Sequence, residues 1–296
     1  MRTGTYSIVA RDAQTGDLGV AVHSHWFSVG SVVAWARAGV GAVATQSVAE
    51  PAYGPRTLDR LAAGEDAPAA LRAQLDVDPL ARVRQVAAVD ARGRAAVHTG
   101  PDCIPHAGHA DGDGFSCQAN MMAQPTVPAA MADAFRGASG PLPDRLMAAL
   151  RAAEAEGGDV RGRQSASMLV VPAQGEPWQT LVDLRVEDHP DAVEELGRVL
   201  GLQRAYDLAG EADQLLGAGE ARAAGELYKR AAELAPQSDE LLFWAGLALA
   251  LEDVGAGAEV VRRAAEVNPN WLVLLDRLSD EFAPAGAAVR EALGRR

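Results

Sequence analysis

The first residues able to do chemistry sit at the very start of the chain. Gly4-Thr5-Tyr6-Ser7-Ile8-Val9-Ala10-Arg11 puts a hydroxyl residue, preceded by glycine, at the head of an apolar strand. A terminal threonine, serine or cysteine can act as nucleophile with its own freed α-amino group as base. Here that chemistry requires removal of Met1-Arg2-Thr3-Gly4, and glycine before the nucleophile permits the strained backbone of an N→O acyl shift. In an extended strand Thr5 and Ser7 face one side and Tyr6 the other. The plainer reading, strand hydroxyls favoured by β-propensity, stays open beside it.

His23 and His25 alternate with Ser24 and are expected on one sheet face, a spacing that suits a proton-transfer pair or part of a metal site. Zinc needs three or four ligands, for which His106, His109, Asp111 and Asp113 are the candidates. Polar residues at a strand end facing a cleft is the other reading. Asn120 could donate its amide to an oxyanion, or form a turn. Arg163 could hold a carboxylate bidentately, or pair with a surface acid such as Asp159. Gln46, Glu50, Arg56 and Gln118 complete the substrate-binding candidates. Asp12 and Asp17 read as turn formers, with contact to the nucleophile's amine the other reading for Asp17.

The elements that must position these residues begin with strands Thr5–Arg11 and Leu18–Ser24, joined by a turn through Gly16. A strand is expected over Val40–Gln46, helices over Pro55–Ala63 and Ala67–Gln74, and a hairpin over Val83–Asp90 and Arg94–His98. Gly100 to Gln118 reads as a glycine-rich loop. Helices over Pro128–Arg136 and Pro143–Glu156 and strands over Ser167–Val171 and Thr180–Val186 follow. Antiparallel pairs with helices between them indicate an α+β sandwich.

Past Asp188 the pattern turns helical and rich in alanine and leucine. Ala212, Ala224, Tyr228, Ala231 and Pro236, then Trp244, Ala245, Leu247, Ala264 and Pro269, fall at tetratricopeptide-like spacings, the prolines 33 residues apart. The expected domains are therefore 1–188, a helical linker 189–204, and helical repeats 205–296.

Composition narrows the function classes. A net charge of −13 disfavours nucleic acid and anionic membranes. No apolar run reaches the roughly 18–20 residues that cross a bilayer, and no secretory signal is visible, so a cytoplasmic protein is expected. The two cysteines, Cys103 and Cys117, make no disulfide framework. Nucleotide and redox motifs are absent, and no cofactor or resident metal is expected.

Several segments in order carry a resemblance: Thr5-Tyr6-Ser7-Ile8-Val9-Ala10-Arg11-Asp12, Gly19-Val20-Ala21-Val22, Ala38 to Gln46, Tyr53-Gly54-Pro55, Gln118-Ala119-Asn120-Met121-Met122 and Gly162-Arg163-Gln164-Ser165-Ala166. Together they resemble the bacterial domain-of-unknown-function family 1028 over roughly residues 2–186. That family is similar in fold to the N-terminal nucleophile (Ntn) hydrolases. The resemblance implies a four-layer αββα sandwich followed by a small all-α accessory domain, with Thr5 at the nucleophile position. Members usually carry this threonine directly after Met1. Here Arg2 blocks methionine removal, so self-cleavage at Gly4–Thr5 is required. The superfamily's threonine hydrolases also use a lysine, whereas the sole lysine of this chain is Lys229. Arg37 or Arg163 could act only electrostatically, since guanidinium stays protonated.

The expected function is hydrolysis of a small amide or ureido compound, with Thr5, Ser7, His23, His25 and Asn120 catalytic. The alternative is a ligand-binding scaffold that recruits a protein partner through its repeats, and a histidine-based metal hydrolase is the third. A homo-oligomer is expected.

Overall fold

The computed structural model describes residues 2–295. The chain divides into two compact units, Met1–Gly197 and Arg198–Arg296. Sequence composition put the first boundary at 188. Helix α6 (Ala192–Gly217) begins in one unit and ends in the other, with Gly197 and Gly201 inside it.

The first unit is built on two antiparallel sheets. One contains β1 (Arg2–Thr3), β4 (Ala34–Arg37), β5 (Gly41–Val48), β6 (Arg84–Asp90) and β7 (Ala95–Thr99), with β1 and β4 both paired to β5. The other runs β11 (Val182–Val186), β10 (Ser165–Val171), β3 (Leu18–Ser24), β2 (Thr5–Arg11), β9 (Phe115–Asn120), β8 (Gly108–Gly112). Strand alternation sorts their side chains cleanly. Val9, Leu18, Val20 and Val22 of the second sheet meet Ala42, Ala44, Ala87 and Val89 of the first in one buried core.

On its other face the first sheet sends Val43, Val86 and Ala88 against Tyr53, Leu58, Leu61 and Leu71. These come from α2 (Tyr53–Ala62) and α3 (Ala67–Leu75). Asp66 caps α3 through a hydrogen bond from Ala69 N, and Pro68 occupies its first turn, where no amide donor is needed. The second sheet's other face is covered by α4 (Val127–Gly137) and α5 (Leu142–Ala155); a Cβ at Gly19 would come within 2.9 Å of Leu146.

Two stretches depart from the sequence expectation. Between Ser24 and Val40 lie a short helix α1 (Gly30–Val33) and strand β4. The expected loop from Gly100 to Gln118 contains the hairpin β8–β9, turned at Gly114 with φ +76°. β9 escapes a hydrophobicity reading because its alternate residues Ser116, Gln118 and Asn120 are polar yet buried.

The second unit is helical. After α6 come α7 (Ala221–Leu234), α8 (Asp239–Leu249), α9 (Val254–Val267), α10 (Asn270–Leu275) and α11 (Gly286–Ala292). Ala212, Ala224, Tyr228 and Ala231 share one buried cluster with Leu241. At Gly246 and Gly257 two helices approach so closely that a Cβ at Gly257 would lie 2.5 Å from Gly246 O. Among the described residues no helix is long and apolar enough to cross a membrane.

Candidate functional site

Thr5 opens β2, paired with Ser24 on one side and Asn120 on the other. Its side chain is fully buried and faces the first sheet. Thr5 Oγ1 donates to Ser24 Oγ at 3.2 Å. Ser24 Oγ in turn donates to the carbonyl oxygen of Gly4. Arg161 Nη2 donates to the same oxygen at 2.9 Å. The carbonyl of the Gly4–Thr5 bond therefore has one hydroxyl donor and one cationic donor, and the hydroxyl donor is hydrogen-bonded to Thr5.

Arg161 is held for this role. Its guanidinium pairs with Asp159 at 2.7 Å, and the Asp159 side chain is completely buried. Asp159 also accepts from the backbone N–H of His25 at 3.1 Å. A Cβ at Gly4 would lie 2.9 Å from both Arg161 and Asp159, so glycine is what lets the backbone come this close. Ahead of Gly4, β1 takes an edge of β5 through Arg2↔Val48 and Thr3↔Ser47. Ser47 has φ +69°, a left-handed conformation costly for a residue other than glycine.

Below Thr5 the two sheets are joined by amides rather than by hydrocarbon. Ser7 Oγ donates to Gln46 Oε1 at 2.6 Å and accepts from Gln118 Nε2 at 2.6 Å. Gln46 Nε2 reaches Thr5 O and Gln85 Oε1 at 3.2 and 2.8 Å. Asn120 Nδ2 donates to Gln85 Oε1 at 3.0 Å. Gln85 Nε2 reaches the Gly108 and Ala119 carbonyls at 3.1 and 2.9 Å. Buried amides paired this way hold neighbouring strands in one register.

Of the sequence-predicted residues, Thr5, Ser7, Gln46, Gln118 and Asn120 come together here. His25 joins them at the rim through its backbone, its ring lying 3.2 Å from Arg163 O. His23 does not. It pairs with Tyr6 on the opposite face of the second sheet, stacked with ring centroids 4.8 Å apart and fully buried. Glu154 of α5 accepts from Tyr6 Oη and approaches His23 Nδ1 at 3.9 Å. Burial lowers the His23 pKa to about 4, although Glu154 pulls the other way. Burial, with Glu154 beside it, raises Tyr6 well above its ordinary value.

Arg163 also belongs to that outer face, ion-paired with Glu154 and Asp191; its expected partner Asp159 is taken by Arg161. His106 and His109 bond separately, to the Met122 and Ala123 carbonyls and to Thr99 Oγ1. No three His, Cys, Asp or Glu side chains cluster as a metal site among the described residues. Cys103 and Cys117 are free and buried. Glu50 and Arg56 line a pocket of about 490 Å³ under α2 and α3, on the far face of the first sheet from Thr5.

Sequence reasoning missed Ser24, Gln85 and Arg161. Ser24 was detectable from strand pairing, since a residue opposite Thr5 in the hairpin must share its face. Arg161 had no such signal, because its loop meets Gly4 only through tertiary packing.

Comparison with known proteins bears on the first unit. The family described as "Family of unknown function (DUF1028)" matches residues 5–196. A crystal structure of a protein of that family from Silicibacter pomeroyi is 30% identical, with a TM-score of 0.61, and the alignment covers 68% of this chain and 89% of that one. Anbu (ancestral beta-subunit) from Yersinia bercovieri is 13% identical over 68% of this chain and 96% of that one, with a TM-score of 0.34. No curated protein gives a significant match.

Proposed function

We propose that this chain, which belongs to the family of unknown function DUF1028, is an Ntn-type amidohydrolase that frees its own nucleophile by cutting Gly4–Thr5. The single observation that carries this reading is the hydrogen-bond path from Thr5 Oγ1 through Ser24 Oγ to the Gly4 carbonyl oxygen, with Arg161 on the same oxygen. Packing of helices on the outer faces of both sheets supports a four-layer αββα arrangement of the Ntn kind.

The chemistry balances without a further base. Thr5 Oγ1 bonds to the Gly4 carbonyl carbon while its proton passes to Ser24, and the Ser24 proton passes to the carbonyl oxygen. Collapse of this adduct breaks the Gly4 C–Thr5 N bond, the hydroxyl proton moves to nitrogen, and a Gly4 ester on Thr5 remains. Water hydrolyses the ester to a Gly4 carboxyl group and a free Thr5. Arg161 stabilises the oxygen as charge develops. Departure of residues 1–4 uncovers Thr5 and the β5 edge held by β1. The new α-amino group then activates Thr5 toward a small amide or ureido substrate. Asn120 Oδ1, buried and without a partner among the described residues, is available to a substrate N–H.

The test is the intact mass of the purified protein. Loss of Met1–Gly4, with Thr5→Ala remaining full length, is the expected result. A full-length wild-type chain that hydrolyses amides would overturn the mechanism.

A second reading has its own observation. The helical unit carries an open groove of about 530 Å³ lined by Leu242, Ala245, Leu249 and Val260 with Lys229 and Glu233 at its edge. Tetratricopeptide-like stacking, supported by the shared Ala212–Tyr228–Ala231 cluster, would make this a surface for a protein partner.

A further inference from the structure

The pocket under α2 and α3 offers a second ligand site, separated from Thr5 by the whole thickness of the first sheet. Side-chain parity decides the separation. Gln46, Ala87 and Val89 face the second sheet, whereas Arg84, Val86 and Ala88 face α2 and α3. Arg84 lines the pocket, so the pocket opens on the face that Thr5 does not share.

Its floor is built and rigid. Arg84 Nε donates to Asp78 Oδ2 at 2.8 Å, with the two side chains only 7% and 13% exposed. Tyr53 Oη donates to the same Asp78 oxygen at 3.0 Å, and Leu80 N donates to the other at 2.8 Å. Asp78 has no charge left to offer a ligand, and these donors hold its carboxyl below the ordinary range despite burial. Arg84 spends a further donor on the Val48 carbonyl.

The walls are almost as fully occupied. Asp59 pairs with Arg37 at 2.8 Å and Arg60 with Glu65 at 3.1 Å. Gln74 donates to Thr57 at 2.5 Å. Two charges remain. Arg56 on α2 is exposed and makes no ion pair among the described residues, and Glu50, just before α2, meets only the backbone N–H of Ala52 at 3.2 Å. One free cation and one free anion thus face a concavity of about 490 Å³ whose other charges neutralise one another. Val77, Pro79 and Ala73 add an apolar wall. That volume falls within the usual range for small-molecule sites.

We propose that this pocket binds a small zwitterion of the amino-acid or dipeptide class, its carboxylate on Arg56 and its ammonium on Glu50. A guanidinium and a carboxylate held apart on one surface discriminate against ligands bearing only one charge, because the unmatched protein group loses hydration with nothing in return. The site stands independently of the nucleophile reading, for it needs neither cleavage at Gly4–Thr5 nor an accessible Thr5.

Calorimetric titration of the purified protein with glycylglycine, N-acetylglycine and glycinamide tests it. Glycylglycine is expected to bind saturably and more tightly than either probe lacking one charge. Arg56→Ala is expected to weaken glycylglycine by at least about tenfold while leaving glycinamide unchanged, and Glu50→Gln to do the same against N-acetylglycine. Both side chains lie outside the core, and an unchanged thermal midpoint confirms that the variants fold. Thr5→Ala is expected to bind glycylglycine as the wild type does. Absence of saturable glycylglycine binding, equal binding of N-acetylglycine, or affinity unchanged by both variants would each overturn the proposal.

Discussion

The buried polar groups packed on the two faces of the second sheet differ in how they are paired. On the inner face Ser7, Gln46, Gln85, Gln118 and Asn120 form a connected network, in which Asn120 Oδ1 alone lacks a side-chain partner among the described residues. On the outer face His23 is fully buried, and among the described residues neither ring nitrogen has a hydrogen-bond partner. The difference separates two uses of burial. The paired amides fix strand heads and carbonyls so that one peptide bond, Gly4–Thr5, is presented in a set geometry. The unpaired histidine stays neutral in a dry environment and makes the same sheet sensitive to acid.

The sharpest way to break this comparison is to remove the inner-face hydroxyls. Thr5→Ala is expected to abolish Gly4–Thr5 cleavage outright. Ser24→Ala or Arg161→Ala should each slow it by about 10²–10³, the usual loss for one oxyanion donor. Outer-face His23→Gln should leave the rate nearly unchanged. Mass spectrometry over a time course after purification checks all four, and a slow His23→Gln would join the two faces into one site.

The network itself carries the next effect. Gln85→Leu removes the acceptor that Gln46 Nε2 and Asn120 Nδ2 share, leaving buried donors short of partners. A loss of about 3 kcal/mol is expected, since each stranded buried group costs about 1–3 kcal/mol. Urea denaturation measures it. A loss well under 1 kcal/mol would mean that the amides do not hold the sheets together.

Acid acts on the other face. His23 titrates near 6.5 when unfolded and at about 4 when folded. The unfolded chain therefore binds the extra proton between those values, and stability rises with pH across that window. Relative to His23→Gln, the wild type should lose on the order of 3 kcal/mol between about pH 7 and pH 4, as the linkage of that shift requires. Denaturation midpoints of the two proteins over this range decide the matter; parallel curves would remove the histidine from the argument.

These contrasts also mark what was legible in the sequence. The strands Thr5–Arg11 and Leu18–Ser24 announce themselves by length and β-branching, and their edges agree with the structure. β9 was hidden because hydrophobic alternation assumes that the buried face is apolar, and here Ser116, Gln118 and Asn120 are the buried face. A different assumption, that strand alternation continues through Ser24, placed His23 and His25 on one face. Strand parity puts His23 on the face away from Thr5, and β3 ends at Ser24, so the alternation does not extend to His25. Arg161 and Asp159 were out of reach, since their importance comes from a loop folded onto Gly4 from more than 150 residues away.

The smallest expected effect probes the link between the outer face and solvent. Arg163 is half exposed, and its pairs with Glu154 and Asp191 lie near the surface end of the Tyr6–His23 stack. Exposed pairs contribute about 0–1 kcal/mol, so Arg163→Gln should change neutral-pH stability by no more than about 1 kcal/mol. Its positive charge, however, works against protonation of His23. Removing it leaves Glu154 less neutralised and should move the acid transition of His23 upward, towards 6.5, with a correspondingly shallower loss of stability at pH 4. Cleavage at Gly4–Thr5 should not change, because Arg163 reaches neither Gly4 nor Ser24. If Arg163→Gln instead stopped cleavage while leaving the acid limb in place, the division between the two faces would fail.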